Sequence, residues 1–231
     1  MTRIVPRGLK CRGISVTGDF GRFDLVSEGG VGRPFVLLVE AESWSEYARH
    51  VYEHLAPKTR VLLVRTPAIN DDSWREVSAA LPSFLKERGV RQASFVAFGA
   101  ACAVLQNVCL AEPRFVRAVV FFHGAARAHP SRASRFVDRL ESALPLGLPL
   151  RLAERGFDGR AFLQRIRCPA LVVTPPSATP TEQREAAEMA ARMPTAWLIE
   201  LSATDGPSDV GRLVLEFRDV PAKCPQRGAA V

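Results

Sequence analysis

The side chain best suited to proton transfer in this sequence is His123, one of four histidines in 231 residues, which follows the apolar pair Phe121-Phe122. A neutral imidazole near a carboxylate can act as an acid or a base. Two carboxylates stand at comparable ends of apolar segments: Glu40, after Phe35-Val-Leu-Leu-Val39, and Asp205, after Ala196-Trp-Leu-Ile-Glu-Leu201. The alternative for His123 is a ring hydrogen-bonded at a strand end without a chemical role. The five cysteines (Cys11, Cys102, Cys109, Cys168, Cys224) form no C-x-x-C pair, so neither a metal site nor a disulfide framework is expected, and no cofactor is assigned. Cys102 falls inside a helical segment, where a small thiol is expected to pack the core.

These residues sit on a regular alternation of apolar runs and amphipathic stretches. Gly13–Val16 and Arg22–Val26 read as a hairpin of exposed antiparallel strands at a sheet edge. Strand-like runs at Pro34–Val39, Arg60–Arg65 and Ala93–Phe98 are each followed by a helical pattern, at Ser45–Leu55, about Asp72–Arg88 and about Ala100–Ala111. Val116–Phe122 supplies a further strand, and Cys168–Val173, Thr181–Met193, Ala196–Leu201 and Pro207–Phe217 continue the alternation. Continuous apolar runs suit strands covered on both faces, and parallel strands need crossover helices. The expected fold class is therefore α/β: a mainly parallel twisted sheet of about eight strands between helices. Residues 1–126 and 168–220 are expected to form its two parts. Between them, 127–167 reads as an inserted helical cap, with helix-like pieces at Ser131–Ala143, Leu150–Arg155 and Arg160–Ile166. Residues 221–231 read as a flexible tail.

The net charge of +7 arises mainly from arginine, with lysine only at positions 10, 58, 86 and 223, a bacterial-type, GC-rich usage. No dense basic run or aromatic stripe accompanies it, so nucleic acid is not the expected partner. Residues 127–167 hold nine arginines and four acids. A solvated helical face accounts for them by default. As the functional alternative, Arg132, Arg135, Arg139, Arg151 and Arg155 form a surface over the crevice for an anionic small molecule or an acidic protein partner. With no signal-peptide core and no stretch of about 20 apolar residues, a soluble cytoplasmic protein without a membrane span is expected.

The order of elements, with Arg165-Ile-Arg-Cys-Pro-Ala-Leu-Val-Val173 before the second helix group and Leu198-Ile-Glu-Leu201 before Val210–Phe217, resembles α/β-hydrolases over residues 9 to 218. In that family a Gly-x-Ser-x-Gly turn between strand and helix exposes the nucleophile. Here the matching stretch is Ala97-Phe98-Gly99-Ala100-Ala101, with Gly99 at the nucleophile position. Glycine adopts the positive φ of such an elbow at little cost, so the turn can persist without its nucleophile. The loop where the resemblance implies an acid, Thr174–Thr181, holds no Asp or Glu, and no histidine follows His129 to serve as base. The family's His-Gly oxyanion segment appears as Val39-Glu40, and a carboxylate there opposes oxyanion stabilisation. The resemblance thus implies a degenerate, triad-less member, a pseudo-hydrolase. Its crevice is expected to gather Val39, Glu40, Thr66, Phe98, Gly99, Ala100, His123, Thr174 and Asp205. The expected role is binding of a small molecule or a protein partner, as a scaffold or accessory protein. The alternatives are a lyase, cyclase or isomerase using His123, Glu40 or Asp205, and a weak nucleic-acid or anion binder acting through the cap.

Overall fold

The computed structural model describes residues 15–18, 21–40, 46–67, 74–124 and 159–223. The most apolar runs form the centre of one sheet: β3 (Phe35–Glu40), β4 (Val61–Thr66), β5 (Ala93–Phe98), β6 (Val116–Phe122) and β7 (Ala170–Thr174). A hairpin of β1 (Ser15–Gly18) and β2 (Gly21–Gly29) and the closing strand β8 (Ala196–Glu200) complete it, in the spatial order β1-β2-β4-β3-β5-β6-β7-β8. The β1–β2 and β2–β4 pairs are antiparallel and all the others parallel. Every carboxyl end from β4 to β8 therefore opens on one edge.

Alternation along each strand sends successive side chains to opposite faces, and both faces are covered. Val36, Leu38, Phe95, Val119 and Phe121 pack with α2 (Trp74–Lys86), α3 (Ala101–Ala111) and α4 (Pro180–Arg192). Phe35, Leu37, Val96, Val120 and Phe122 pack with α1 (Glu46–Leu55) and α5 (Pro207–Lys223). Helix boundaries expected from the amphipathic patterns fall within about two residues of those observed for α1 to α4.

Three expectations are corrected. The second hairpin strand is not an exposed edge: β2 continues to Gly29 through a bulge between Leu25 and Ser27 and pairs with β4, which buries Phe23 and Leu25. Only β1 lies at that edge of the sheet. Arg160–Ile166 is a turn followed by the short 3-10 helix Leu163–Arg165, not an α-helical piece. Leu163 and Ile166 are both buried, and their spacing of three serves a 3-10 turn as well as an amphipathic helix. Helix α5 runs to Lys223, so the segment read as a tail begins within it. The pieces Ser131–Ala143 and Leu150–Arg155, the five arginines proposed for an anionic surface, and residues 224–231 lie outside the described residues. Among the described residues no helix is long and apolar enough to cross a membrane.

Candidate functional site

Gly99 occupies the turn between β5 and α3 with φ of +57°, the left-handed conformation expected for it. Its N–H donates to the Phe122 carbonyl at 3.1 Å, tying the turn to the end of β6. A Cβ built on Gly99 would have nothing within 4 Å among the described residues. Among the described residues nothing covers this position, and no side chain stands on it. Cys102, one helical turn on, is buried and its Sγ donates to the Ala97 carbonyl at 3.3 Å. Burial pushes its thiol well above the usual range, outweighing the hydrogen bond to Phe122, so it packs the turn as a protonated group.

The strand ends expected to line the crevice divide into two kinds. Val39, Thr66 and Thr174 are buried, and the two hydroxyls donate to the carbonyls of Val39 and Ile199, each at 3.4 Å. Their hydrogen-bonding capacity is directed at neighbouring strands. Glu40, Ala100 and His123 remain partly open, and Phe98 is buried against Phe122 with ring centroids 5.3 Å apart.

Glu40 is not the carboxylate beside His123. Glu40 pairs in register with Thr66, and β5 stands between β3 and β6, so two strand spacings of about 4.8 Å separate their backbones. The carboxylate facing His123 is Glu182, in the first turn of α4, with Oε1 3.2 Å from Nε2. His123 adopts φ of +52°, an unusual value for a residue with a side chain, while its N–H donates to the Val173 carbonyl at 2.9 Å. Its Nε2 is buried and, among the described residues, has no partner beyond the 3.2 Å approach to Glu182 Oε1. A strained histidine carrying a buried, poorly satisfied nitrogen is the most chemically distinctive feature of this edge.

The placement of Glu182 follows from helix capping. Thr179 caps α4: its Oγ1 accepts from Glu182 N at 3.3 Å, its own N–H donates to Glu182 Oε2 at 2.8 Å, and Pro180 takes the first helical position. With Oε2 engaged by the cap, Oε1 is left to face His123. Burial acts to raise the Glu182 pKa, but the Thr179 hydrogen bonds and the neighbouring His123 together hold it below the ordinary value. Sequence reasoning missed this residue because the search for an acid stopped at Thr181. The signal was present as Thr179-Pro-Thr-Glu182, a capping box.

Thr179→Ala is expected to cost about 1 kcal/mol through loss of the cap. Glu182→Gln retains an acceptor for the cap but loses the charge. A carboxylate with a depressed folded pKa contributes stability fully above its unfolded pKa and loses it as pH falls through the folded one. The stability gap between the wild type and Glu182→Gln should therefore be constant near neutrality and shrink below about pH 4. Urea melts across that range check this, and a gap that widened on acidification would contradict it.

Asp205 is committed to its own loop. Its Oδ2 accepts from Ser202 N at 2.6 Å and from Ser202 Oγ at 2.8 Å, and these bonds lower its pKa. It closes the turn after β8, which weakens it as a base.

No known family model matches the chain, and no curated protein matches it in sequence. Solved structures do match in fold. A hydrolase from Pseudomonas aeruginosa PA01 is 19% identical with a TM-score of 0.69, covering 90% of this chain and 98% of that one. A thermophilic esterase from Thermogutta terrifontis is 12% identical with a TM-score of 0.66, covering 92% and 97%. An alpha/beta hydrolase from Sphaerobacter thermophilus is 15% identical with a TM-score of 0.65, covering 89% and 100%. With this sheet order and both helical layers in place, the chain has the α/β-hydrolase fold.

Proposed function

We propose that this chain is a pseudo-hydrolase: it keeps the hydrolase crevice as a binding surface for a small molecule or partner and does not carry out nucleophilic hydrolysis. The observation that carries this reading is Gly99, which holds the backbone geometry of a nucleophile elbow at φ of +57° with no side chain to attack with. The loop after β8 adds support, since Ser202, Thr204 and Asp205 hydrogen-bond among themselves and it contains no histidine. Neighbours of the same fold are named hydrolases and an esterase, and the reading departs from those names on the strength of Gly99.

The test is direct. Purified protein incubated with a fluorophosphonate probe and with p-nitrophenyl acetate should give neither labelling nor turnover above buffer. Stoichiometric labelling, or ester turnover abolished by one point mutation, overturns the proposal.

A second reading is favoured by the His123–Glu182 pair, which sits beside the elbow and has the chemistry of an acid/base couple. It describes a lyase, cyclase or isomerase in which Nε2 exchanges a proton with substrate and Glu182 orients the ring. In that case any activity found must be lost in His123→Ala and acquire an altered pH profile in Glu182→Gln. Activity untouched by both changes removes this reading.

A further inference from the structure

The opposite edge of the sheet, where the parallel strands begin, carries a feature unrelated to the elbow. The turn from β2 to β3, the loop from α1 to β4, the first residues of β5 and β6, and the far end of α5 line a cavity of about 220 Å³ that is open to the surface. Arg33, Lys58, Arg117 and Arg218 line it together with Thr59 and Ser94, and none of its lining residues is acidic. Among the described residues no carboxylate pairs with Arg33, Lys58 or Arg117. Glu28, at the end of β2, is already engaged by Arg60 at 2.8 Å.

Like charges gathered around one small cavity repel one another, a cost that a bound anion reverses in sign. Burial lowers the Arg117 pKa, and the charge of Arg33 acts in the same direction, which places the two guanidinium groups within electrostatic reach. The backbone that carries Arg33 is also held in place. Thr59 Oγ1 donates to the Arg33 carbonyl at 2.6 Å, and Gly30, at φ of +74°, lets the turn close against the backbone of Thr59. Arg33 is thus presented by a pinned turn, which reduces the ordering cost of binding.

We infer that this cavity is a binding site for a small phosphate-class oxyanion, held by Arg33, Lys58 and Arg117 with the Ser94 hydroxyl at its wall. The size suits a phosphate, a pyrophosphate or the phosphate end of a small metabolite. Guanidinium groups match such oxygens through paired N–H donors. The site is distinct from the crevice at Gly99 and does not depend on the function proposed there.

Calorimetric titration of the full chain with inorganic phosphate and with pyrophosphate, against sodium chloride at equal ionic strength, tests the inference. Pyrophosphate is expected to bind more tightly than phosphate, and chloride not to compete. Arg117→Gln and Lys58→Gln should each raise the pyrophosphate Kd by about tenfold. Without ligand, Arg117→Gln should melt no lower than the wild type, because it relieves repulsion; a role confined to structure would lower its Tm. Lys58 is exposed, so its variant folds irrespective of the outcome at Arg117. Unchanged affinity in both variants, equal effects of chloride and phosphate, or binding of an oligonucleotide in preference to pyrophosphate would overturn the inference.

Discussion

Gly30→Ala is expected to destabilise the protein by about 2 to 5 kcal/mol. Two effects combine there. At φ of +74° an L-residue with a Cβ takes on left-handed strain of about 1 to 2 kcal/mol. The new Cβ would also lie 1.8 Å from the Thr59 carbonyl oxygen and 2.6 Å from that of Ala56. Both are backbone atoms, so relief requires moving the α1–β4 loop, and overpacking of this kind costs about 1 to 3 kcal/mol more. For a chain of this size each kcal/mol corresponds to about 2 to 4 °C, so Tm should fall by roughly 10 °C.

Gly89 provides the control. Its φ is +73°, yet nothing lies within 4 Å of its Cβ position. Gly89→Ala should therefore show the strain alone, and the difference between the two variants isolates the collision. Chemical denaturation of both measures it, and losses equal within about 0.5 kcal/mol would show that the loop yields freely. Gly30→Ala should also weaken pyrophosphate binding, because it displaces the turn that presents Arg33, whereas Gly89→Ala should leave binding intact.

The unequal legibility of this molecule in its sequence has a physical basis. Strands such as Phe35–Glu40 and Val61–Thr66 are buried on both faces over their first four residues, Phe35–Leu38 and Val61–Val64, so those positions are all apolar and the run is visible without knowing its neighbours. Gly99 was legible for a related reason, since a local backbone requirement leaves a local residue choice. Contacts between elements were not legible. The partner of His123 depends on strand order: β5 separates it from Glu40, whereas α4 follows β7, the immediate neighbour of β6, and so brings Glu182 to it. The burial of Thr66 and Thr174 likewise depends on which carbonyl the adjacent strand offers. The basic cavity draws on residues near 33, 58, 94, 117 and 218, too scattered to form a charge run. Sequence reasoning looked for anion binding where arginines cluster along the chain, whereas the fold also clusters them in space.

Gly99→Ser should give a folded protein that still fails to hydrolyse esters. The cost in stability is expected to be about 1 to 2 kcal/mol, from left-handed strain, because among the described residues nothing lies within 4 Å of a Cβ at Gly99. A serine hydroxyl at the elbow is a poor nucleophile until a base removes its proton. The loop after β8 supplies Asp205, whose Oδ2 is occupied by Ser202 and whose pKa is lowered by those bonds, so it has little affinity for that proton. Removing the base from an intact triad lowers kcat by on the order of 10^6, and the restored serine starts from that deficit. Its ester turnover should consequently be indistinguishable from that of the wild type, with fluorophosphonate labelling slow or absent. Rapid labelling of Gly99→Ser would mean that a base already stands within reach. Adding His123→Ala to that variant then decides the matter: if labelling is lost, the His123–Glu182 pair is the base, the crevice is one residue away from hydrolysis, and Gly99 is the position that withholds it.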